Sequence, residues 1–348
     1  MSKETKKFFR AAVLESIGSP LAIKKLIFPQ LKYGQVLVEM SYSSICASQL
    51  FEISGDRGID RYLPHMLGHE GVGTVVEIGP GVTNFQVGDI VVLTWIQQDG
   101  IECESITHES VNGEVINAGK VTTFAEFTVV SENRLFKAPL NIDEKLLPLL
   151  GCAALTGAGM VMEHHSGEKR VLVVGGGGVG IFTVLALMHQ GVGAIHVVEP
   201  SKEKGKLISS LSQRVVTYSS LEEDRLRKEV EDKGVFREVF VCTSSSSALQ
   251  ESLSLLAAPG LLVFCTHPRK GELLSIDPFD LIRGKVILGS WGGGCKNGLI
   301  RQQVIDFYIK AVDRMESLIS QPFGIDEINE AVKLARRNSH IRVMIRMK

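Results

Sequence analysis

Apolar runs divide the chain into two halves of different rhythm, changing near residue 150. Before that point, Val36-Leu37-Val38-Glu39-Met40 follows a Tyr33-Gly34 turn. Residues 72–78 form a β-branched run closed by Gly79-Pro80-Gly81, and residues 90–93 and 127–130 add two more. Short apolar segments bounded by glycine and proline predict strands. Residues 97–120 are polar and carry little strand signal, which predicts a long loop.

Beyond residue 150 the runs alternate with helical segments. Val171-Leu172-Val173-Val174 is continuously apolar, as a parallel strand covered on both faces must be. A glycine cluster follows, then a helical stretch over 179–190 with Gly191 placed to cap it. Strands are expected at 195–198, 238–242, 261–265 and 286–288, separated by helical or charged segments such as 221–233. This alternation predicts a doubly wound α/β sheet. The tail, 300–348, predicts two amphipathic helices and a strand over 341–347. Two uncharged stretches, 146–162 and 171–188, approach the length of a membrane span. Glycines interrupt both, so each is expected to be a buried strand–turn–helix and no membrane partner is implied.

Composition removes other classes. With 38 Lys+Arg against 39 Asp+Glu among 348 residues, the formal net charge is −1. The basic surplus that phosphate neutralisation demands is missing, so nucleic acid is not an expected partner. The six cysteines are scattered and never form CxxC. The opening MSKETKKFFR has no apolar leader core. Both features argue against a disulfide framework and for a reducing, cytoplasmic setting.

Gly175-Gly176-Gly177-Gly178-Val179-Gly180 satisfies GxGxxG through Gly175, Gly177 and Gly180. The pattern by itself is weak. Its place between a buried strand and a helix is the context that gives it meaning: a tight turn, close backbone approach to pyrophosphate, and a helix N-terminus facing anions. An acidic residue is expected about 20 positions on, and Glu199 stands there after Val197-Val198. A carboxylate at that point accepts from ribose hydroxyls and repels a 2′-phosphate, which favours NAD over NADP. Lys202 and Lys204 lie just beyond; they read either as a solvated first helical turn or, for Lys204, as a ribose contact that softens that discrimination.

Cys46, His69 and Cys152 are soft or borderline ligands in small-residue contexts. Two thiolates and an imidazole suit a tetrahedral zinc with one open position, although spacing does not show that they converge. The surrounding residues say more. Gly68-His69-Glu70-Gly71-Val72-Gly73, followed by Gly79 and Val82, resembles the zinc signature of the medium-chain alcohol dehydrogenases. Ser44-Ile45-Cys46-Ala47-Ser48, Gly88-Asp89-Ile90-Val91, the segment from Gly151-Cys152 to Thr156-Gly157 and the closing Ile341-Arg342 resemble further family segments in the same order. Gly289-Ser290-Trp291-Gly292-Gly293 resembles the branch that includes glutathione-dependent formaldehyde dehydrogenase.

The resemblance implies a β-rich GroES-like catalytic domain from 1–153 and 293–348, and a Rossmann NAD-binding domain from 154–292. It implies one catalytic Zn2+ per chain on Cys46, His69 and Cys152, with Glu70 beside it as a transient ligand or electrostatic tuner. Ser48 would take the alcohol proton. Thr156, Gly175, Gly177, Gly178, Val179, Gly180, Glu199 and Lys204 would contact the cofactor, and Arg342 its phosphates. The reaction implied is hydride transfer between NAD(H) and an alcohol or polyol, or the corresponding carbonyl, in a homodimer or homotetramer.

Two departures stand out. Many members of the family hold a second, structural zinc on four close cysteines after the GDxV strand, where this chain has only Cys103. Many also carry a histidine three residues beyond the Ser48 position, where this chain has Phe51. Rival readings are a zinc-free NADPH quinone or enoyl reductase on the same fold, and a non-catalytic binding protein derived from it. The ligand set and Glu199 count against the first, and the intact ligand set and glycine loop against the second.

Overall fold

The computed structural model of the chain describes residues 7–348. It forms two compact units: one runs up to Cys152 and resumes with Val312–Lys348, the other is Ala153–Ala311. The chain leaves the second unit later than residue 293, because the helix Gly298–Ala311 packs on the helix Ala153–His164.

The first unit is built on strands. The long strand Gln35–Ile45 pairs antiparallel with Glu70–Ile78, Phe127–Ser131 and Val343–Arg346, at the centre of a seven-stranded sheet. Val36, Val38, Met40, Val75, Val91 and Leu93 place their side chains in one apolar cluster, on to which the helix Ile328–Arg336 brings Ile328, Ala331 and Val332. A five-stranded sheet carries a second cluster around Phe9, Leu26 and Ile116.

That second sheet corrects the expected loop. Within 97–120 lies a hairpin of Ile106–Glu109 and Val115–Gly119. Its inward positions are Ile106, His108, Ile116 and Ala118. The period-two pattern is present, but a histidine and an alanine carry half of it, so no apolar run announces the strands. Cys103 is buried beside this hairpin, its sulfur 2.9 Å from Ser131 Oγ.

The second unit is a six-stranded parallel sheet. In spatial order its strands are Val215–Tyr218, Ala194–Val198, Arg170–Val174, Phe236–Val241, Leu256–Phe264 and Lys285–Gly289. The order turns back on itself at Arg170–Val174, the switch point at which doubly wound sheets bind ligands. The stretch 171–188 is strand–turn–helix as expected. The stretch 146–162 is not: it forms two helices, Pro148–Gly151 and Ala153–His164. It is rich in Leu, Ala and Gly, poor in β-branched residues, and has Pro148 at a first helical turn. The His165 side chain is buried and bonded to Glu238 at 2.6 Å. No helix among the described residues is long and apolar enough to cross a membrane.

Candidate metal centre and nucleotide loop

Three segments of the first unit converge. Cys46 follows the strand Gln35–Ile45 and serves as N-cap of the helix Ala47–Ser54. His69 precedes the strand Glu70–Ile78, and Cys152 follows the short helix Pro148–Gly151. Their three ligand atoms lie within 4.8 Å of one another, the single such group of histidine, cysteine or acidic side chains among the described residues.

The residues fit a zinc ion. His69 Nδ1 is occupied, 2.5 Å from Gln49 Nε2 and 3.5 Å from Ser48 Oγ. Its Nε2 is buried with no hydrogen-bond partner, a costly orphan unless a metal takes it. Cys46 is held well towards the thiolate by the Cys152 thiol and by the positive charge of Arg342. Cys152 receives a hydrogen bond from the Trp95 indole at 3.3 Å. Two sulfurs and one imidazole are a borderline-soft set suited to zinc, and a fourth position stays open to substrate.

A buried ion pair backs this cluster. Glu70 is fully buried; its Oε1 accepts from Ser44 Oγ at 2.6 Å and faces Arg342 Nε at 3.1 Å. Burial pushes the Glu70 carboxyl up, and Arg342 opposes the rise. Arg342 also donates to Cys46 Sγ at 3.6 Å. Arg342, expected at cofactor phosphates, has a side chain 5% exposed that faces Glu70 and Cys46. Behind His69 lies a cavity of about 370 Å3, lined by polar groups that include Gln49, Glu52, Asp60, His65 and Asn117. His65 is half-buried and paired with Asp60 at 2.8 Å.

Sequence reasoning missed Gln49. The available signal was a Gln three residues after the N-cap, at N3 of a helix that begins beside a ligand, which is the capping-box position. The structure bears that geometry out: Gln49 Oε1 accepts from the Cys46 N–H at 2.9 Å.

In the second unit, the glycine loop joins the strand Arg170–Val174 to the helix Gly178–His189. Gly175 turns with φ +97°, a left-handed conformation costly to other residues. A Cβ on Gly180 would lie 1.8 Å from Gly175 O, so helix and loop meet only through glycine there. Gly177 differs from both. It is the N-cap at φ −71°, and nothing lies within 4 Å of where a Cβ would stand. That open cradle, at the N-terminus of the helix Gly178–His189, suits a phosphate. Glu199 Oε2 accepts from Gly176 N at 2.8 Å and Oε1 from Ser201 N at 2.9 Å, which ties the loop to the end of the next strand. Lys204 is buried in the first turn of the following helix. Thr156 is buried in the helix Ala153–His164, its Oγ1 without a hydrogen-bond partner.

Comparisons with known proteins agree with this geometry. Residues 32–140 match the model for the alcohol dehydrogenase GroES-like domain, and residues 178–310 that for zinc-binding dehydrogenases. The chain is 28% identical to S-(hydroxymethyl)glutathione dehydrogenase of Escherichia coli O1:K1 / APEC, over 97% of this chain and 99% of that protein. In fold it resembles benzyl alcohol dehydrogenase from Acinetobacter calcoaceticus, with a TM-score of 0.85 at 24% identity, covering 98% of this chain and all of the other. It also resembles an alcohol dehydrogenase zinc-binding domain protein from Burkholderia ambifaria, with a TM-score of 0.86 at 22% identity over 99% of this chain and 100% of that one.

Proposed function

The chain belongs to the zinc-dependent medium-chain alcohol dehydrogenase family, and from that premise we propose that it is an NAD-preferring enzyme with one catalytic zinc on Cys46, His69 and Cys152. As a member it is an oxidoreductase that interconverts small alcohols and their carbonyl partners with a nicotinamide cofactor. The observation that carries the zinc reading is the convergence of two sulfurs and one imidazole nitrogen within 4.8 Å.

Zinc held there supplies a Lewis acid that makes an alcohol hydroxyl acidic near neutral pH, while a bound nicotinamide supplies the hydride-accepting carbon. The remaining work falls to side chains. Arg342 favours the Cys46 thiolate that a metal requires, and Glu70 neutralises Arg342 in a site where neither charge reaches water. With Oε1 committed to Ser44 and Arg342, Glu70 is read as an electrostatic tuner. Ser48 is the hydroxyl read as accepting the substrate proton, with Phe51 in place of a relaying histidine, so the proton passes to solvent by another group or by water.

Gly177, Gly178 and Val179 are read as the phosphate cradle, flanked by Gly175 and Gly180, with Thr156 and Lys204 as further cofactor contacts. Glu199 is read as the ribose partner: each of its oxygens accepts one backbone N–H and keeps lone pairs for a hydroxyl donor. A 2′-phosphate would meet that carboxylate. The strand Lys285–Gly289 ends the parallel sheet with Val286 and Leu288 exposed, beside exposed Phe279 and Ile282. An apolar sheet edge supports a homodimer or homotetramer, which light scattering tests; a monomer at micromolar concentration contradicts it. An NAD-coupled screen of alcohols, polyols, sugar derivatives and thiol adducts with zinc-loaded protein tests the catalytic reading, and turnover that survives chelation refutes it.

A further inference from the structure

His69 is oriented from behind by a carboxamide, and a carboxamide is an awkward partner for a metal-ligating histidine. Gln49 is 1% exposed. Its side chain is wedged between two fixed groups, the Cys46 N–H, 2.9 Å from Oε1, and His69 Nδ1, 2.5 Å from Nε2. A backbone N–H only donates, so the amide oxygen belongs on that side. The amide NH2 then faces Nδ1, which must accept. A neutral imidazole that accepts at Nδ1 carries its proton on Nε2. Nε2 is the nitrogen left free for a metal, since Gln49 and Ser48 occupy Nδ1.

Ligation through Nε2 requires the opposite tautomer, with Nδ1–H donating to an acceptor. Turning the amide over supplies that acceptor but sets its NH2 against the Cys46 N–H. Neither orientation satisfies both neighbours. A carboxylate at the same two atomic positions would, because each oxygen accepts.

We propose that Gln49 is a positioning residue that fixes the His69 ring in place while favouring the tautomer that opposes ligation, so that residue 49 sets how tightly this centre holds zinc. The inference rests on the zinc reading of Cys46, His69 and Cys152. Outer-shell partners of this kind change metal affinity by roughly 10–100-fold.

The test measures zinc affinity of the full-length chain by competition with a chromophoric chelator, in wild type, Gln49→Glu and Glu52→Gln. Glu52 lines the same cavity and pairs with Arg57, and its neutral variant reports what a nearby charge alone does. Gln49→Glu is expected to bind zinc at least about 10-fold more tightly than wild type. Glu52→Gln should stay within about threefold. The 15N NMR shifts of the His69 ring give a reading that needs no variant: before zinc is added, the proton sits on Nε2 in wild type and on Nδ1 in Gln49→Glu. Equal or weaker binding by Gln49→Glu overturns the inference, as does a wild-type ring protonated at Nδ1. A loss in Glu52→Gln as large as the Gln49→Glu gain assigns the effect to net charge and overturns it too. Wild type that binds no zinc overturns the metal centre itself, and this inference with it.

Discussion

The Arg342 guanidinium lies 3.1 Å from Glu70 Oε1 and donates to Cys46 Sγ at 3.6 Å, joining the last strand of the chain to the metal-ligand cluster through one buried charge. The side chains of the pair are 5% and 0% exposed. Removing one partner of a buried pair costs about 3–5 kcal/mol, because the other is left uncompensated. Arg342→Met should therefore lower stability by that order in urea unfolding. Adding Glu70→Gln should restore at least half of the loss. A single variant as stable as wild type would show that the pair carries no structural weight.

The glycine loop makes a contrast of two alanines. Gly180→Ala drives a Cβ into Gly175 O and should destabilise the second unit by about 1–3 kcal/mol or more. Gly177→Ala has open space and an ordinary φ, so its unfolding temperature should stay close to wild type. Its methyl nevertheless projects into the proposed phosphate cradle, and NADH binding, followed by fluorescence, should weaken at least about tenfold, or 1.4 kcal/mol. Unchanged NADH affinity in Gly177→Ala would move the pyrophosphate elsewhere.

Glu199 should decide between the two nicotinamide cofactors. Wild type is expected to show higher kcat/KM with NAD than with NADP. Glu199→Ser removes the repulsion of a 2′-phosphate and should cut that ratio at least about tenfold. It also frees the Gly176 and Ser201 N–H groups, so KM for both cofactors should rise. A wild-type preference for NADP contradicts the assignment.

Two buried histidines predict acid sensitivity. Burial pushes His108 and His196 down to about 4, against about 6.5 in an unfolded chain. Both are thus neutral in the fold, and between those values the unfolded chain binds more protons. Stability is full above about pH 6.5 and declines as the pH falls towards 4. Each histidine should account for about 2 kcal/mol between pH 7 and pH 5. His108 packs edge-on against Phe9 in an apolar cluster and both its ring nitrogens lack hydrogen-bond partners. His108→Phe should accordingly flatten the pH dependence of urea unfolding by about that amount. An unaltered slope would contradict a neutral, buried His108.

The parallel sheet was legible in the sequence because strands covered on both faces are written as unbroken apolar runs, as at Val171-Leu172-Val173-Val174. The hairpin Ile106–Glu109/Val115–Gly119 was not, since His108 and Ala118 fill inward positions that hydropathy does not mark. Cys46, His69 and Cys152, which converge in the structure, stood out in the sequence through segments that resemble the family's zinc signature. The setting of Arg342 and the contact of Gln49 with His69 were not legible, because both arise between segments distant in the sequence. Sequence spacing fixes which residues share a turn, but not which atom of an amide meets an imidazole.

Metal analysis of the purified protein, paired with activity before and after chelation, tests the catalytic centre most directly. A zinc held by Cys46, His69 and Cys152 predicts close to one zinc per chain, loss of alcohol oxidation as the metal is removed, and recovery when zinc is returned. Two zinc ions per chain, or oxidation that continues without any, would contradict it.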